Sequence, residues 1–577
     1  MLFLLLKYSY IAILSFIYGI GAIEALQKVF PIKEKSSLSI PLTMIVGIAM
    51  ITYIVSWLSF IIPIAGTANL FVLMLGGIIG WRYSTEIYNQ VQEAKKGISK
   101  VSWWQKSIFL YGVLYILFLS VQQTVSMDEG TYHAQSILWS ETYPIVKGLS
   151  NPLTKLGFNN HWHLTSALFN WSFWTGQESN QINGVFYLMM LAFCLQGFGD
   201  SLPKFGRLLR LCLLVLMHYS PLHVFHIIAP SADVVVIYSC WIIFVLLVDK
   251  MMENTFWEVD KRSLFILVIS CFLLTVKLSS LPILLACFPA LWAFLKRKQF
   301  APIFSFVGIG TLFMSAWLAR NVLLTGYLIY PFEAIDIFNF DWKVPLEQVQ
   351  KEAKWIHDAA FLLAKSDHNN AVMQMPYLQK LGVWFTDNLH LNDRLLMMAL
   401  MVSPFLQIAF YFNKKMPFYR KKEFLLLCGM LWAGILFWLL QAPNPRFGYG
   451  FTLFTFVFSF IPIALYLPFK KNHLIALSII GIIGFQGVTY AYYQKKINWF
   501  ITKKWMEKSE PKYSILLMPK PYPNVNTTNE NGFNYTDKKC WDMPLPCINK
   551  IRENVVLRGQ KIEEGFRTED SSTDLLK

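Results

Sequence analysis

Long apolar runs dominate the chain, and polar residues are confined to the stretches between them. Ile40–Pro63, for example, contains no charged residue. A helix of about 20 apolar residues spans the hydrocarbon core of a bilayer. Only a helix satisfies its own backbone hydrogen bonds in that core. The pattern therefore predicts an all-α polytopic membrane protein.

About fourteen runs are long or apolar enough to be interpreted as spans. We place them at 2–23, 40–63, 66–83, 107–122, 183–198, 207–221, 233–249, 263–277, 281–295, 302–319, 394–412, 423–441, 450–469 and 473–493. The first run lacks an obvious small-residue cleavage site, so we expect it to remain as a span. The runs at 263–277 and 281–295 are short and flank Lys277, and they are either two full spans or broken half-helices.

Composition excludes a soluble enzyme. Hydrophobic residues make up 55% of the 577 positions and charged residues 15%, whereas an ordinary soluble domain has about 25% charged residues. The net charge is +16, but the basic residues fall mainly in short loops. Counting the successive crossings places these loops on one side of the membrane. The positive-inside rule makes that side cytoplasmic. No motif for nucleic-acid recognition is evident, and no nucleic-acid partner is expected.

The chain divides into an N-terminal set of spans, a core with two large outer loops, and a tail. These are residues 1–106, residues 107–494 with outer loops 123–182 and 320–393, and residues 495–577, which the charge pattern places outside the cytoplasm. Pro345–Lys365 in the second loop has the spacing of an amphipathic helix. Cys540 and Cys547 lie together in the polar tail, and they fit a disulfide if that tail faces an oxidising compartment.

Candidate chemistry is concentrated on the outer side, because every histidine except His473 lies there or at the outer end of a predicted span. The sharpest feature is the pair Asp128-Glu129, which follows the span at 107–122. Two adjacent carboxylates at the mouth of a helix bundle destabilise the fold unless water solvates them, cations pair with them or they take part in the function of the protein. The alternative is a helix N-cap, in which Ser126 or Asp128 caps the first turn.

Several segments together resemble the GT-C superfamily of membrane glycosyltransferases. Members such as the protein O-mannosyltransferases and the lipid A aminoarabinose transferases use polyprenyl-phosphate-linked sugars. The matching segments are Asp128-Glu129 with Tyr132, Ala232-Asp233 entering a span, Lys277 at a helix break, Arg320–Gly326 running to Tyr330-Pro331, and Pro445-Arg446-Phe447. Gly148–Asn151, Leu156–Asn159, His161–His163 and Cys540–Cys547 are similar to an uncharacterised bacterial membrane-protein family related to that superfamily.

The resemblance covers the order of spans from about 107 to 493 and implies a GT-C-like helical bundle. This chain departs from the pattern in having three spans before the Asp-Glu loop, where the superfamily core has one. It also lacks the large folded outer domain that several members carry. Both departures bear on the identity of the acceptor more than on the core chemistry.

The resemblance implies an inverting glycosyltransferase, which moves a sugar from a polyprenyl-phosphate donor to an acceptor hydroxyl in cell-surface glycan or glycolipid biosynthesis. Such a transfer needs one base, and we assign it to Asp128, with the adjacent Glu129 as a further candidate catalytic residue. Cations must hold the lipid phosphate, and Lys277, Arg320 and Arg446 are the candidates. Their alternative interpretation is that of basic side chains that snorkel to the membrane interface.

Four further residues are candidates for contact with substrate, namely Tyr132, His133, Trp162 and Asp233. The aromatic members also fit ordinary interfacial residues. His161 and His163 could join Glu129 in binding a divalent metal ion, or they could be polar histidines that form local hydrogen bonds. No cofactor is otherwise indicated.

The expected partners are the lipid bilayer, a polyprenyl-phosphate-linked sugar, and a glycan, lipid or protein acceptor. The expected location is a bacterial cytoplasmic (inner) membrane, with the active face periplasmic or extracellular. Two alternatives stay open, a transporter or flippase for lipid-linked glycans and a non-catalytic partner of a surface-polysaccharide machine. A transporter predicts charges buried near the midplane and paired repeats, whereas the distinctive polar groups here lie at the outer edge.

Overall fold

The computed structural model describes residues 1–32, 38–122, 126–197, 203–219, 226–362, 372–466, 471–496, 517–530, 532–549 and 554–569. Within this part of the chain, eight helical segments are long and apolar enough to cross a membrane. They are Leu2–Val29, Ile40–Leu58, Ala232–Met252, Leu278–Lys296, Phe300–Thr325, Leu391–Phe412, Lys422–Gln441 and Pro445–Ala464. The expected all-α membrane protein is confirmed at this level.

The other six predicted spans also coincide with helices, but these helices are shorter or less apolar. They are Gly66–Arg82, Trp103–Ser120, Asn183–Gln196, Lys204–Leu216, Lys261–Val276 and Lys471–Lys496. The helix Ser84–Lys100 follows Gly66–Arg82 and buries none of its residues. The total of fourteen crossings therefore stays a prediction, whereas the helical state of each apolar run is confirmed.

The region around Lys277, which the sequence predicts as either two full spans or two half-helices, forms a helical hairpin. Helix Lys261–Val276 ends where Lys277 adopts an extended backbone. The chain then continues as a 3-10 helix, Leu278–Cys287, which runs into the α-helix Phe288–Lys296. Ser270 Oγ donates a hydrogen bond to the carbonyl oxygen of Ile283 at 3.5 Å, which joins the two arms. Lys277 consequently lies at the tip of the hairpin.

Polar loops with short helices cover one end of the bundle, which we call the loop face. It carries residues 126–182 and 326–388. Its helical elements are Glu129–His133, Ala134–Thr142, Thr154–Phe158, His161–Leu168, Ser172–Thr175, Leu346–Leu362, Tyr377–Val383 and Trp384–Asn388. The amphipathic helix predicted at Pro345–Lys365 is confirmed as Leu346–Leu362, which buries Val349, Ala360 and Phe361.

The tail forms two small sheets on the loop face. In the first sheet, strand Phe533–Tyr535 lies between an antiparallel neighbour, Thr528–Glu530, and a parallel one, Cys547–Ile548. The second sheet pairs Val555–Leu557 with Phe566–Thr568. Cys540 and Cys547 form the predicted disulfide. The apolar side chains of the tail share one core with those of the loops and of the end of helix Phe300–Thr325, including Phe533, Ile548, Phe566, Trp139, Leu149 and Leu324.

Two helices at the centre of the bundle begin at the loop face and bring their first residues together. Helix Ala232–Met252 is almost entirely buried and packs against Pro445–Ala464. The Ser231 side chain accepts the backbone N–H of Asp233, and the Asn444 side chain accepts the backbone N–H of Arg446. Both caps satisfy otherwise free N–H groups at a helix start, so the two polar side chains that follow them have fixed positions.

Candidate active site

Asp128 precedes a turn of π-helix, Glu129–His133, which continues directly into helix Ala134–Thr142. The Asp128 side chain makes no capping hydrogen bond to that helix. Instead, the hydroxyl of Ser126 accepts the backbone N–H of Glu129 at 3.4 Å. The N-cap interpretation therefore applies to Ser126, and the Asp128 carboxylate is directed to another partner.

That partner is Arg446, which lies 318 residues away in the sequence. The Arg446 Nη1 donates to Asp128 Oδ2 at 2.8 Å. The exposed fractions of the two side chains are 31% and 26%. Both groups can therefore be reached by a ligand from outside, although each is largely surrounded by protein.

Asp233 is the buried anchor of the same cluster, with a side chain that is 6% exposed. The Lys277 ammonium donates to Asp233 Oδ1, and Arg446 Nε lies 3.8 Å from Asp233 Oδ2. His226 Nδ1 lies 3.9 Å from the same oxygen. We call Asp128, Asp233, Lys277 and Arg446 the Asp128 cluster. It contains two carboxylates and two cations that alternate in space.

Phe447 supports both cations of the Asp128 cluster. The Lys277 ammonium lies 3.8 Å from the centre of its ring, and the Arg446 guanidinium carbon lies 5.0 Å from it. A cation over the face of an aromatic ring is attracted by the electrons of that face. Phe447 belongs to the segment Pro445-Arg446-Phe447 that the sequence singled out, but it was not among the candidate site residues.

Electrostatics keep the Asp128 carboxylate ionised. Burial raises the pKa of Asp128, but the charge and hydrogen bond of Arg446 outweigh that effect, and the pKa lies well below its usual value. Burial lowers the pKa of His133 to about 4, against the opposing charge of Asp128. Burial also lowers the pKa of His226 to about 4, against the charge of Asp233. Both imidazoles are therefore neutral at pH 7, next to a charged Asp128.

Tyr132 and His133 form an aromatic group beside the Asp128 cluster. The His133 ring lies 4.6 Å from that of His163 and 4.4 Å from that of Tyr132, measured between centroids. The Lys155 ammonium lies 5.9 Å from the Tyr132 ring and 4.1 Å from the Trp355 ring. The structure thus places Tyr132 and His133, two of the predicted substrate-contact residues, close to Asp128.

The geometry of His161 and His163 does not support their assignment as metal ligands. Both lie on helix His161–Leu168, where residues two apart point in different directions. His163 lies within hydrogen-bond distance of Ser136 Oγ and Asn160 Nδ2. Within the described ranges, no group of three or more His, Cys, Asp or Glu side chains is arranged to hold a metal ion.

Trp162 is enclosed in the protein and lies away from the loop-face surface, with 0% of its area exposed. Its indole N–H donates to Asn183 Oδ1 at 2.7 Å. The Asn183 amide in turn donates to the carbonyl oxygens of His226, Ala229 and Ser231. Trp162 therefore stabilises the turn before helix Ala232–Met252, and this geometry gives it no surface for a sugar.

Arg320 lies in a different environment from Arg446. Its Nε donates to Asn159 Oδ1 at 3.1 Å and its Nη1 to Ser59 Oγ at 2.5 Å. The side chain lines a cavity whose other walls include Ser59, Trp139, Tyr143 and Leu149, none of which belongs to the Asp128 cluster. The structure therefore does not bring the two arginines together, as the sequence-based hypothesis of a shared phosphate clamp requires.

Glu129 faces the tail, which the sequence did not connect to this site. The hydroxyl of Tyr522 donates to Glu129 Oε1 and accepts from Asn180 Nδ2 at 3.0 Å. Glu129 is 1% exposed. It is therefore less accessible to a ligand than Asp128, and Tyr522 is a site neighbour that no sequence pattern indicated, because it lies 393 residues from Glu129.

Comparison with known proteins identifies a family for this chain. The family "Domain of unknown function (DUF8201)" matches residues 1–453, which is most of the chain and includes the whole Asp128 cluster. The chain therefore belongs to this family. No curated protein and no solved structure matches it. The tail, with Tyr522 and the disulfide, lies beyond the matched residues.

Proposed function

We propose that this member of the DUF8201 family is an inverting glycosyltransferase that takes a sugar from a polyprenyl-phosphate donor. The acceptor is a hydroxyl group on the outer face of the membrane, in the synthesis of a cell-surface glycan or glycolipid. The setting is the cytoplasmic membrane of a bacterium, with the loop face directed away from the cytoplasm. The observation that carries the proposal is the pairing of Asp128 with Arg446 where two membrane helices begin.

A lipid phosphate in the outer leaflet would meet the membrane-facing side of this cluster. Arg446 and Lys277 supply guanidinium and ammonium donors at the ends of apolar helices. Hydrogen bonds from these cations to the oxygens of a phosphate are charge-assisted and therefore stronger than hydrogen bonds between neutral groups. Lys277 at the hairpin tip and Arg446 at a helix start also lie at the same level as Asp233. The cluster therefore supports a donor site at the boundary between the bilayer and the loop face.

The reaction is a single displacement at the anomeric carbon. The acceptor oxygen forms a bond to that carbon, the bond from the carbon to the phosphate oxygen breaks, and polyprenyl phosphate leaves. The acceptor proton passes to Asp128 as the general base. Because the phosphate leaves as a stable anion, the second carboxylic acid that glycosidases need for their leaving group is not required.

The ion pair between Asp128 and Arg446 gives the donor a further role. A carboxylate held by a guanidinium is a weak base, because the same interaction that lowers its pKa lowers its affinity for a proton. A donor phosphate that takes over Arg446 would release the Asp128 carboxylate. The base would then become effective only when a donor is bound, which limits proton uptake in the absence of substrate.

The test is transfer by the purified protein in lipid nanodiscs, with a labelled polyprenyl-phosphate sugar and a membrane extract as the source of acceptors. The wild-type protein should transfer label, and Asp128→Asn should lose transfer while the protein level and donor binding remain. Asp537→Asn is the matched control, because Asp537 is an exposed aspartate of the tail. Undiminished transfer by Asp128→Asn would refute the assignment of the base. Movement of intact lipid-linked sugar across the bilayer without transfer would favour the flippase alternative.

A further inference from the structure

The tail is held on the loop face by polar contacts as well as by its shared apolar core. The backbone N–H of Phe566 donates to the carbonyl oxygen of Lys147 at 2.9 Å. Arg558 donates to both carboxylate oxygens of Asp341, at 2.7 and 3.1 Å. These partners belong to the loops and not to the membrane helices. The part of the tail that carries the two sheets therefore lies against the loops, whereas Leu517, at the start of the described tail, accepts a hydrogen bond from the backbone N–H of Phe3 in the first helix.

The disulfide loop of the tail lies directly on the helical turn that follows Asp128. The backbone N–H of Trp541 donates to the carbonyl oxygen of Gly130 at 3.0 Å. The Gln135 side chain donates to the carbonyl oxygens of Trp541 and Met543, at 3.0 and 2.9 Å. These bonds fix the segment that also carries Lys539.

Gly130 permits this close approach because it has no side chain. A Cβ atom at position 130 would lie 2.7 Å from Cδ of Lys539 and 2.8 Å from Cε2 of Trp541. Both distances are shorter than carbon atoms tolerate. The aliphatic part of Lys539 therefore packs on the residue two positions after Asp128, and its ammonium reaches the same part of the loop face.

The ammonium of Lys539 makes no ion pair with any residue of the described part of the chain. It lies 5.3 Å from the centre of the Trp541 ring, and its side chain is only partly buried. The Asp128 carboxylate is close enough for its charge to act on the ammonium. That carboxylate, however, is already paired with Arg446.

A charge count shows what Lys539 adds. Asp128 and Asp233 contribute two negative charges, and Lys277 and Arg446 contribute two positive ones. His133 and His226 are neutral at pH 7 because burial lowers their pKa values to about 4. The four groups of the Asp128 cluster therefore sum to zero charge, and Lys539 adds a positive charge beside them, while the neighbouring Glu129 carboxylate accepts a hydrogen bond from Tyr522.

We propose that Lys539 binds an anionic group on the acceptor, so that the acceptor is a phosphorylated or carboxylated molecule. This inference rests on the proposed transfer to an acceptor at Asp128. The segment with Lys539 packs on the loops at Gly130 and Gln135, and this position favours the acceptor over the donor, whose lipid chain must remain in the bilayer. The bond that forms and the proton that moves are those of the proposed reaction, and Lys539 only positions the acceptor.

The first experiment measures the reactivity of lysines in the wild-type protein, without any transfer. The full-length protein in nanodiscs is acylated with an N-hydroxysuccinimide ester, and modification of Lys539 and of Lys538 is measured by mass spectrometry. Lys538 is the matched control, because it is the exposed neighbour in the same segment. Glycerol 3-phosphate should slow the acylation of Lys539 and not that of Lys538, and neutral glycerol should slow neither. Equal acylation of Lys539 with and without glycerol 3-phosphate would overturn the proposal.

The second arm separates the two sources of an anion. A short-chain polyprenyl monophosphate is added in place of glycerol 3-phosphate. If it protects Lys539 and glycerol 3-phosphate does not, the anion is that of the donor and our assignment to the acceptor is wrong.

A third arm uses transfer by Lys539→Gln and Lys538→Gln, with glycerol 3-phosphate as inhibitor. Loss of one charge-assisted contact should raise the half-inhibitory concentration for Lys539→Gln by about tenfold, and Lys538→Gln should leave it unchanged. An unchanged value for Lys539→Gln would count against the proposal. If glycerol 3-phosphate protects Lys539 in a wild-type protein that shows no transfer, the anion site is supported and the proposed function is rejected. Failure of the anion site and failure of the proposed function therefore give different results.

Discussion

Arg446 Nη1 lies 2.8 Å from Asp128 Oδ2, and this contact joins the start of a membrane helix to a loop more than half of the chain away. It places a cation that suits a phosphate and a carboxylate that suits a base in direct contact. Neither group is buried completely. The pair is therefore both a structural link across the bundle and the part of the loop face that is best suited to chemistry.

Replacement of Arg446 by glutamine should weaken donor binding. The variant loses the guanidinium that we assign to the phosphate, and a charge-assisted contact contributes about 1.5–3 kcal/mol, which is roughly a ten- to hundredfold change in affinity. The measurement is the KM of the polyprenyl-phosphate donor in the transfer assay. Arg297→Gln is the control, since Arg297 is an exposed arginine at the end of helix Phe288–Lys296 and does not belong to the cluster. An unchanged donor KM for Arg446→Gln would exclude Arg446 as a phosphate ligand.

Replacement of Arg320 by glutamine should instead affect stability. The wild-type side chain is buried and hydrogen-bonded to Asn159 and Ser59, and its loss removes the donors to the buried oxygens Asn159 Oδ1 and Ser59 Oγ, at a cost of about 1–3 kcal/mol. Thermal unfolding in detergent should show a lower midpoint, and the donor KM should stay near the wild-type value. A raised donor KM with an unchanged unfolding midpoint would restore the phosphate role that the sequence suggested.

The activity of the protein should not depend on a titration near neutral pH at the Asp128 cluster. Arg446 holds the pKa of Asp128 below its usual value in spite of burial, so the carboxylate stays ionised as pH falls from 7 to 5. His133 and His226, with pKa values of about 4, stay neutral over the same interval. The proposed transfer should therefore show a kcat/KM, which reports on the protein before the donor binds, that is constant between pH 5 and 7. Arg446→Gln should move the acid limb to higher pH, because it removes the charge that lowers the pKa of Asp128.

The helical nature of the bundle could be predicted because, in a membrane, an apolar run satisfies its backbone hydrogen bonds within itself only as a helix. Helix Leu346–Leu362 and the pair of cysteines were predictable for equally local reasons, namely a periodic apolar stripe and a short spacing. The total number of crossings could not be obtained in this way. Asn183–Gln196 and Lys261–Val276, for example, are helices that are short for a full crossing.

The site was predictable only in part, because its contacts join residues that are far apart in sequence. The sequence grouped Asp128, Arg446 and Lys277 on one face of the membrane, and they do belong to one cluster. It grouped Arg320 with them for the same reason, but the bonds of Arg320 to Asn159 and Ser59 depend on packing that no local pattern reveals. The position of Tyr522 over Glu129 likewise depends on how the tail docks.

The disulfide provides a test of orientation. The positive-inside rule places the tail away from the cytoplasm, and a disulfide persists in an oxidising compartment. In intact cells, Cys540 and Cys547 should not react with a membrane-impermeant maleimide until a reductant is added, and after reduction both should react. Cys428 lies in a membrane helix and should remain unlabelled throughout. Free thiols at 540 and 547 that react only after the cytoplasmic side is opened would reverse the assigned orientation.

A pair of buried carboxyl groups should make stability depend on pH. Glu141 and Glu178 lie beneath the loop face, where Ser172 donates to Glu141 at 2.7 Å and Asn170 donates to Glu178. Burial raises the pKa of Glu178 to about 7. Burial and the charge of Glu178 raise the pKa of Glu141 well above its usual value. Lys7 and Asp542 are the other charged groups that face the pair.

The sign of the effect follows from these raised pKa values. The folded protein keeps protons on this pair at pH values where the unfolded chain has lost them, so the stabilisation is complete below about pH 4.5 and is lost as pH rises through 7. The unfolding midpoint of the wild-type protein in detergent should therefore fall between pH 5 and pH 8. Glu178→Gln, which is neutral at every pH, should fall less steeply, because burial of its side chain no longer opposes a charge. Glu530→Gln, an exposed change in the tail, should keep the wild-type slope. Equal slopes for the wild type and Glu178→Gln would show that this pair does not hold its protons through folding.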